Sequence, residues 1–120
     1  MTPRPRSWRK GDTIGRADKA TKGSARRPIG TLLDLLGRRW ALRILWELRG
    51  TSLSSRRLAE RCGGVSPSVL HRRLRELRAG KLVELQEKRG HALSPLGATL
   101  LETLRPLQHW ADVWARRFEA

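Results

Sequence analysis

Tyrosine is absent from this 120-residue chain, phenylalanine and cysteine each occur once, and acidic residues are few. Each shortage excludes something. The lone Cys62 has no partner within the chain, so a disulfide framework is excluded and a reducing, cytoplasmic compartment is expected. Cys62, His71, His91 and His109 show no metal-ligand spacing, so neither a metal nor any other cofactor is assigned. Few aromatics stand outside apparent core positions, which argues against stacking on single-stranded bases. No apolar run approaches the roughly 20 residues of a membrane span. No apolar segment follows the basic N-terminus, so neither a membrane partner nor a secretory signal is expected. Nucleophile motifs, phosphate-cradling glycine loops and cofactor fingerprints are missing too, so no residue is assigned as catalytic and the chain is not read as an enzyme.

The chain is rich in positive charge. Lys and Arg number 26 against 11 Asp and Glu, giving a net +15 and an isoelectric point near 11.8. Arginine-rich coding bias does not explain such a surplus of one sign. It is the electrostatic footprint of a nucleic-acid binder, with a nucleoid-associated location to match. About half of the net charge lies in residues 1–28, where Arg4, Arg6, Arg9 and Lys10 stand among Pro, Gly, Ser and Thr. This stretch has little to bury and reads as a disordered basic arm, suited either to tracking phosphates or to solubilising the domain beside it.

The folded part is expected over residues 29–120. Thr31 is read as the cap of a short helix, Leu32 to Leu36, stopped by Gly37. A second helix is expected from about Arg39 to Arg49, with Trp40, Ile44, Leu45 and Leu48 on one face. Thr51 to Leu53 suggests a short strand, and Ser54 or Ser55 caps a third helix carrying Leu58, Ala59 and Cys62. Gly63-Gly64 makes a turn, and Ser66-Pro67 is a strong start for a fourth helix that runs to Ala79. Leu82 to Leu85 and His91 to Leu93 read as strands around a tight turn at Lys88-Arg89-Gly90. Ser94-Pro95 opens a last helix to about Phe118, which Pro106 is expected to kink or break. The order gives a mainly α fold with a small β-hairpin wing, the winged helix-turn-helix layout.

In the fourth helix Leu70, Leu74 and Leu77 share one face, and Ser68, Arg72, Arg75 and Ala79 share the opposite one. An exposed arginine face is common, but here it comes after a Gly-Gly turn and precedes a basic hairpin, so double-stranded DNA is the expected partner. Base edges are assigned to Ser68, His71 and Arg72, near the helix start, and phosphates to Arg75 and Arg78. Ser66, Lys88 and Arg89 complete the expected DNA-facing set. Arg73 lies beside the apolar stripe and is read as structural, pairing with Glu60 or Glu76.

Four blocks in this order resemble the HxlR-type winged-helix regulators of the wider MarR-like group. They are Leu35-Leu36-Gly37-Arg38-Arg39-Trp40-Ala41-Leu42-Arg43-Ile44-Leu45, Val65-Ser66-Pro67 through Leu77, Gly80-Lys81-Leu82-Val83-Glu84, and Leu93-Ser94-Pro95-Leu96-Gly97. The resemblance covers about residues 31 to 116 and implies a homodimer on an inverted-repeat operator, with repression the family's usual mode. It also implies an interface built by the first and last helices. Leu32, Leu36, Leu104, Leu107, Trp110 and Trp114 are the expected interface, because the last helix carries more large apolar groups than a small core needs. Trp40, Trp46, Trp110 and Trp114 are read as core or interface rather than as a ligand pocket, and no effector is assigned. This chain departs from the family pattern at Arg38, where the family has a second glycine, and at Ser55, where it has an aromatic. It departs again in a shorter hairpin and at His91, where tyrosine is usual. The cysteine that some members carry before the first helix is missing, so redox sensing is not carried over; Cys62 reads as a small buried residue. The competing expectation is a sequence-tolerant, architectural nucleic-acid binder that works through its arm. A protein-interaction module ranks behind both.

Overall fold

The computed structural model describes residues 27–119, so the basic arm lies outside the described residues except for its last two positions. The chain divides after Arg39 into two units. The first contributes one described helix, α1 (Pro28–Leu36). Pro28 occupies its first turn, where the missing N–H costs nothing and the fixed φ already suits a helix. Thr31, read from sequence as the cap, is instead inside the first turn, with its hydroxyl directed at the Arg27 carbonyl at 3.4 Å. The helix therefore begins four residues before the expected Leu32, on proline geometry rather than on a side-chain cap.

The second unit holds α2 (Ala41–Glu47), β1 (Ser52–Leu53), α3 (Ser55–Cys62), α4 (Pro67–Ala79), β2 (Val83–Gln86), β3 (Gly90–Leu93) and α5 (Pro95–Arg116). Three serines set its helix starts. Ser54 accepts from the Arg57 N–H at 3.1 Å, Ser66 from Val69 at 3.3 Å and Ser94 from Gly97 at 2.9 Å. Each cap satisfies an otherwise orphaned amide, worth about 1 kcal/mol. Helix α2 is shorter than the expected Arg39–Arg49. Trp40, immediately before it, has a left-handed φ of 77°, and Leu48 caps its other end.

The core is aliphatic. Ile44, Leu45 and Leu48 from the α2 segment, Leu58 from α3, and Leu70, Leu74 and Leu77 from α4 are almost completely buried. Each contributes about 1.5–3 kcal/mol against remaining in water. Through these side chains α2 packs on α3, α3 on α4, and α4 on β2. The Gly63-Gly64 turn lets α3 and α4 meet: both glycines have positive φ, 62° and 123°, where a Cβ is strained.

The hairpin becomes a three-stranded antiparallel sheet of order β1-β3-β2. Ser52 pairs with Ala92 and Leu53 with His91 on one edge of β3, and Val83 with Leu93 through Gln86 with Gly90 on the other. Gly90, at φ 95°, has the Leu53 backbone where a Cβ would stand. Helix α5 is fastened at its start. The Ser94 hydroxyl donates to the Lys81 carbonyl at 2.6 Å, the Ser94 N–H to the Leu82 carbonyl at 3.0 Å, and Gly97 packs directly under that same carbonyl. From there α5 continues without a break through Pro106, so of the expected kink or break the break does not occur. Proline removes one ladder bond, to the Glu102 carbonyl, and on this exposed stretch water can satisfy that oxygen. The assembly is a winged helix-turn-helix. No helix among the described residues is long and apolar enough to cross a membrane.

Candidate nucleic-acid interface

Helix α4 has two unlike faces. Leu70, Leu74 and Leu77 are buried, whereas Ser66, Ser68, His71, Arg72 and Arg75 are exposed. Ser66 uses an oxygen lone pair for the cap, and its hydroxyl lies 3.5 Å from that of Ser68. Arg73 pairs with Glu76 at 3.2 Å, both side chains mostly covered, while Glu60 faces Arg56 at 3.9 Å. Arg72 and Arg75 have no hydrogen bond or ion pair among the described residues. Like charges three residues apart weaken a helix by about 0.2–0.5 kcal/mol. That cost goes uncompensated inside the protein, so these guanidiniums are available to an anionic partner. Arg78, one turn further on, is half-buried.

The wing turn spans Glu87, Lys88 and Arg89, one residue earlier than the expected Lys88-Arg89-Gly90, and closes with Arg89 N–H on the Gln86 carbonyl at 3.2 Å. Lys88 takes a positive φ of 67°, and Lys88 and Arg89 are exposed, their side chains unpaired among the described residues. Sequence reasoning passed over Arg56 and Arg57, which add exposed cations to the first turn of α3. The signal was there, since both stand just after the Ser54 cap.

Behind the wing, His91 is 7% exposed. Its Nε2 is 3.1 Å from the Ser55 hydroxyl, and its buried Nδ1 has no hydrogen-bond partner among the described residues. Burial, then the positive charges of Arg78 and His71, hold its pKa below the usual histidine value. Cys62 is also buried, and burial pushes its thiol pKa up; Arg43 lowers it and Glu47 raises it, in that order of size. Arg43 bonds Glu47 at 2.8 Å and the Arg61 carbonyl at 3.0 Å, closing the end of α3.

The last helix is mostly bare. Leu104 is half-buried, but Leu107, Trp110, Trp114 and Phe118 are 58%, 59%, 52% and 72% exposed. Trp110 and Trp114 stack with ring centres 6.4 Å apart, and Phe118 meets Trp114 edge-on at 5.0 Å. In the first unit Leu32 is half-buried and Leu36 buried. Trp46 stands apart from the α5 aromatics, exposed under the Arg49 guanidinium, 3.7 Å from its ring centre.

Comparison with known proteins agrees with this geometry. Two structures of YodB from Bacillus subtilis are similar to the chain. The quinone-bound form is 29% identical, with a TM-score of 0.67 over 72% of this chain and 97% of that one. The reduced form is 27% identical, with a TM-score of 0.66 over 72% and 91%. A possible HxlR family transcriptional factor from Thermoplasma volcanium is 26% identical, with a TM-score of 0.65 over 75% and 86%. Among curated proteins none matches. The family model described as HxlR-like helix-turn-helix matches residues 35–119. With that match spanning most of its length, and with the fold of a DNA-binding transcription regulator, the chain belongs to the HxlR-like helix-turn-helix family.

Proposed function

We propose that the chain is a sequence-specific transcription regulator that binds an inverted-repeat operator as a homodimer and acts as a repressor. One observation carries this reading: Arg72 and Arg75 stand exposed, and unpaired among the described residues, on a helix whose opposite face is wholly buried. Ser68, His71 and Arg72 read base edges from the start of α4. Arg75, Arg78, Lys88 and Arg89 meet phosphates, and the arm of residues 1–28 adds sequence-independent attraction. The exposed ridge of Leu107, Trp110, Trp114 and Phe118 supports α5 as the surface that meets a second copy. A ridge of this size left in water invites aggregation, and covering it with its own copy removes the cost.

The test is binding to the DNA flanking its own gene, against random duplex of equal length, at two salt concentrations. A strong preference for one inverted repeat that survives deletion of residues 1–28 is expected. Equal binding to both duplexes, lost with salt and with the arm, favours the sequence-tolerant alternative instead.

A further inference from the structure

The DNA-facing surface does not use the most unusual polar group in the described part of the protein. His91 is buried in the middle of β3, and its Nδ1 is a buried side-chain atom without a hydrogen-bond partner among the described residues. Ser55 and His91, distant in sequence, meet each other at 3.1 Å. The pair joins the wing to the first turn of α3.

The tautomer is set by the surroundings. A buried N–H with no acceptor is rarer and costlier than a buried lone pair with no donor. Nε2 therefore carries the proton and donates to Ser55 Oγ, while Nδ1 stays bare. Protonation would place an N–H at Nδ1 with nothing to receive it, and a full charge in a covered site. The groups facing that site offer no relief. From α4 come the positive charge of Arg78 and that of His71. Leu53 of β1 and Leu85 of β2 are the cross-strand neighbours, and Glu84 alternates to the other face of the sheet. Helix α5, which packs on β3, carries no charged side chain from Pro95 to Leu101.

We propose that His91 is an acid-sensitive latch: its neutral imidazole ties the wing to α3 through Ser55, and its protonation frees the wing and loosens the grip on DNA. The first half rests on geometry alone, and the second on the DNA reading above. The sign is fixed by linkage. A histidine whose folded pKa is lowered gives full stability above about pH 6.5 and loses it as pH falls toward the folded value.

The full chain, His91→Gln and His91→Tyr are compared from pH 7.5 to pH 5.0 at constant ionic strength, by thermal unfolding and by fluorescence anisotropy with a labelled duplex. Glutamine keeps a neutral donor toward Ser55 and cannot titrate; tyrosine gives a second variant, non-titrating over this range, if the glutamine chain does not fold. The wild-type midpoint is expected to fall below pH 6.5 while the variants stay level, and wild-type DNA affinity is expected to fall with it. Parallel stability profiles in wild type and variants overturn the latch. A level wild-type affinity beside a falling midpoint overturns its link to DNA. An absence of binding to any duplex at pH 7.5 overturns the DNA reading, and the stability profiles still decide the latch.

Discussion

Arg72 and Arg73 are chain neighbours with different fates. Arg73 is drawn in beside the leucine stripe and held by Glu76, so its charge serves the fold. Arg72 is exposed, with no partner among the described residues to hold it. Arg72→Ala is therefore expected to leave the unfolding midpoint level or slightly raised and to weaken operator binding at least about tenfold, a loss of roughly 1.4 kcal/mol. Unchanged affinity in a titration of the operator would move the reading face elsewhere. This division of labour is legible in the sequence, because 100° per residue on a helix assigns both residues once the leucines are placed. Sequence offers Glu60 and Glu76 as partners for Arg73, and the i,i+3 geometry selects Glu76. The role of His91 is not legible. Alternation along a strand says which residues share a face, but not that a serine from another helix will meet a ring nitrogen there.

The helix starts divide into those with a chemical signature and those without. Ser54, Ser66 and Ser94 announce their helices because a serine hydroxyl before a helix has a specific amide to accept from. The start of α1 escapes sequence reading because Arg27 has no side-chain cap and the nearby Thr31 imitates one. The start of α2 differs from expectation because a tryptophan in the left-handed region is not a residue that local preference would put there. At the other end, Pro106 looks like a stop, yet losing one hydrogen bond on a wet face does not end a helix of 22 residues. The glycine in the first turn of α5 is the more demanding position. Gly97→Ala pushes a methyl into the Leu82 carbonyl, which belongs to the backbone and cannot turn aside. It is expected to cost about 1–3 kcal/mol, read as an earlier midpoint in urea. A midpoint equal to wild type would show that the joint can open at no cost.

At the scale of the whole molecule, the exposed aromatic ridge of α5 dominates. Its abundance of large apolar groups is plain in the sequence; that they stay uncovered within one chain required the structure. Trp114 touches both Trp110 and Phe118, so it is the centre of the ridge. Trp114→Glu is expected to convert a dimer to a monomer in sedimentation or light scattering, and to reduce operator affinity more than affinity for random DNA. An unchanged mass would remove the ridge from the interface. The tie between the start of α5 and residues Lys81 and Leu82 then takes on a meaning of its own. Helix α4 ends at Ala79, two residues before that tie. On the proposed reading, the helix that would meet a second copy and the helix that would read the operator are thus joined at a stiff elbow, where a serine, a glycine and two carbonyls lock one angle. In the proposed dimer, with half-sites about 34–36 Å apart, that angle would decide which spacing of the two half-sites the protein accepts, however good the bases within each.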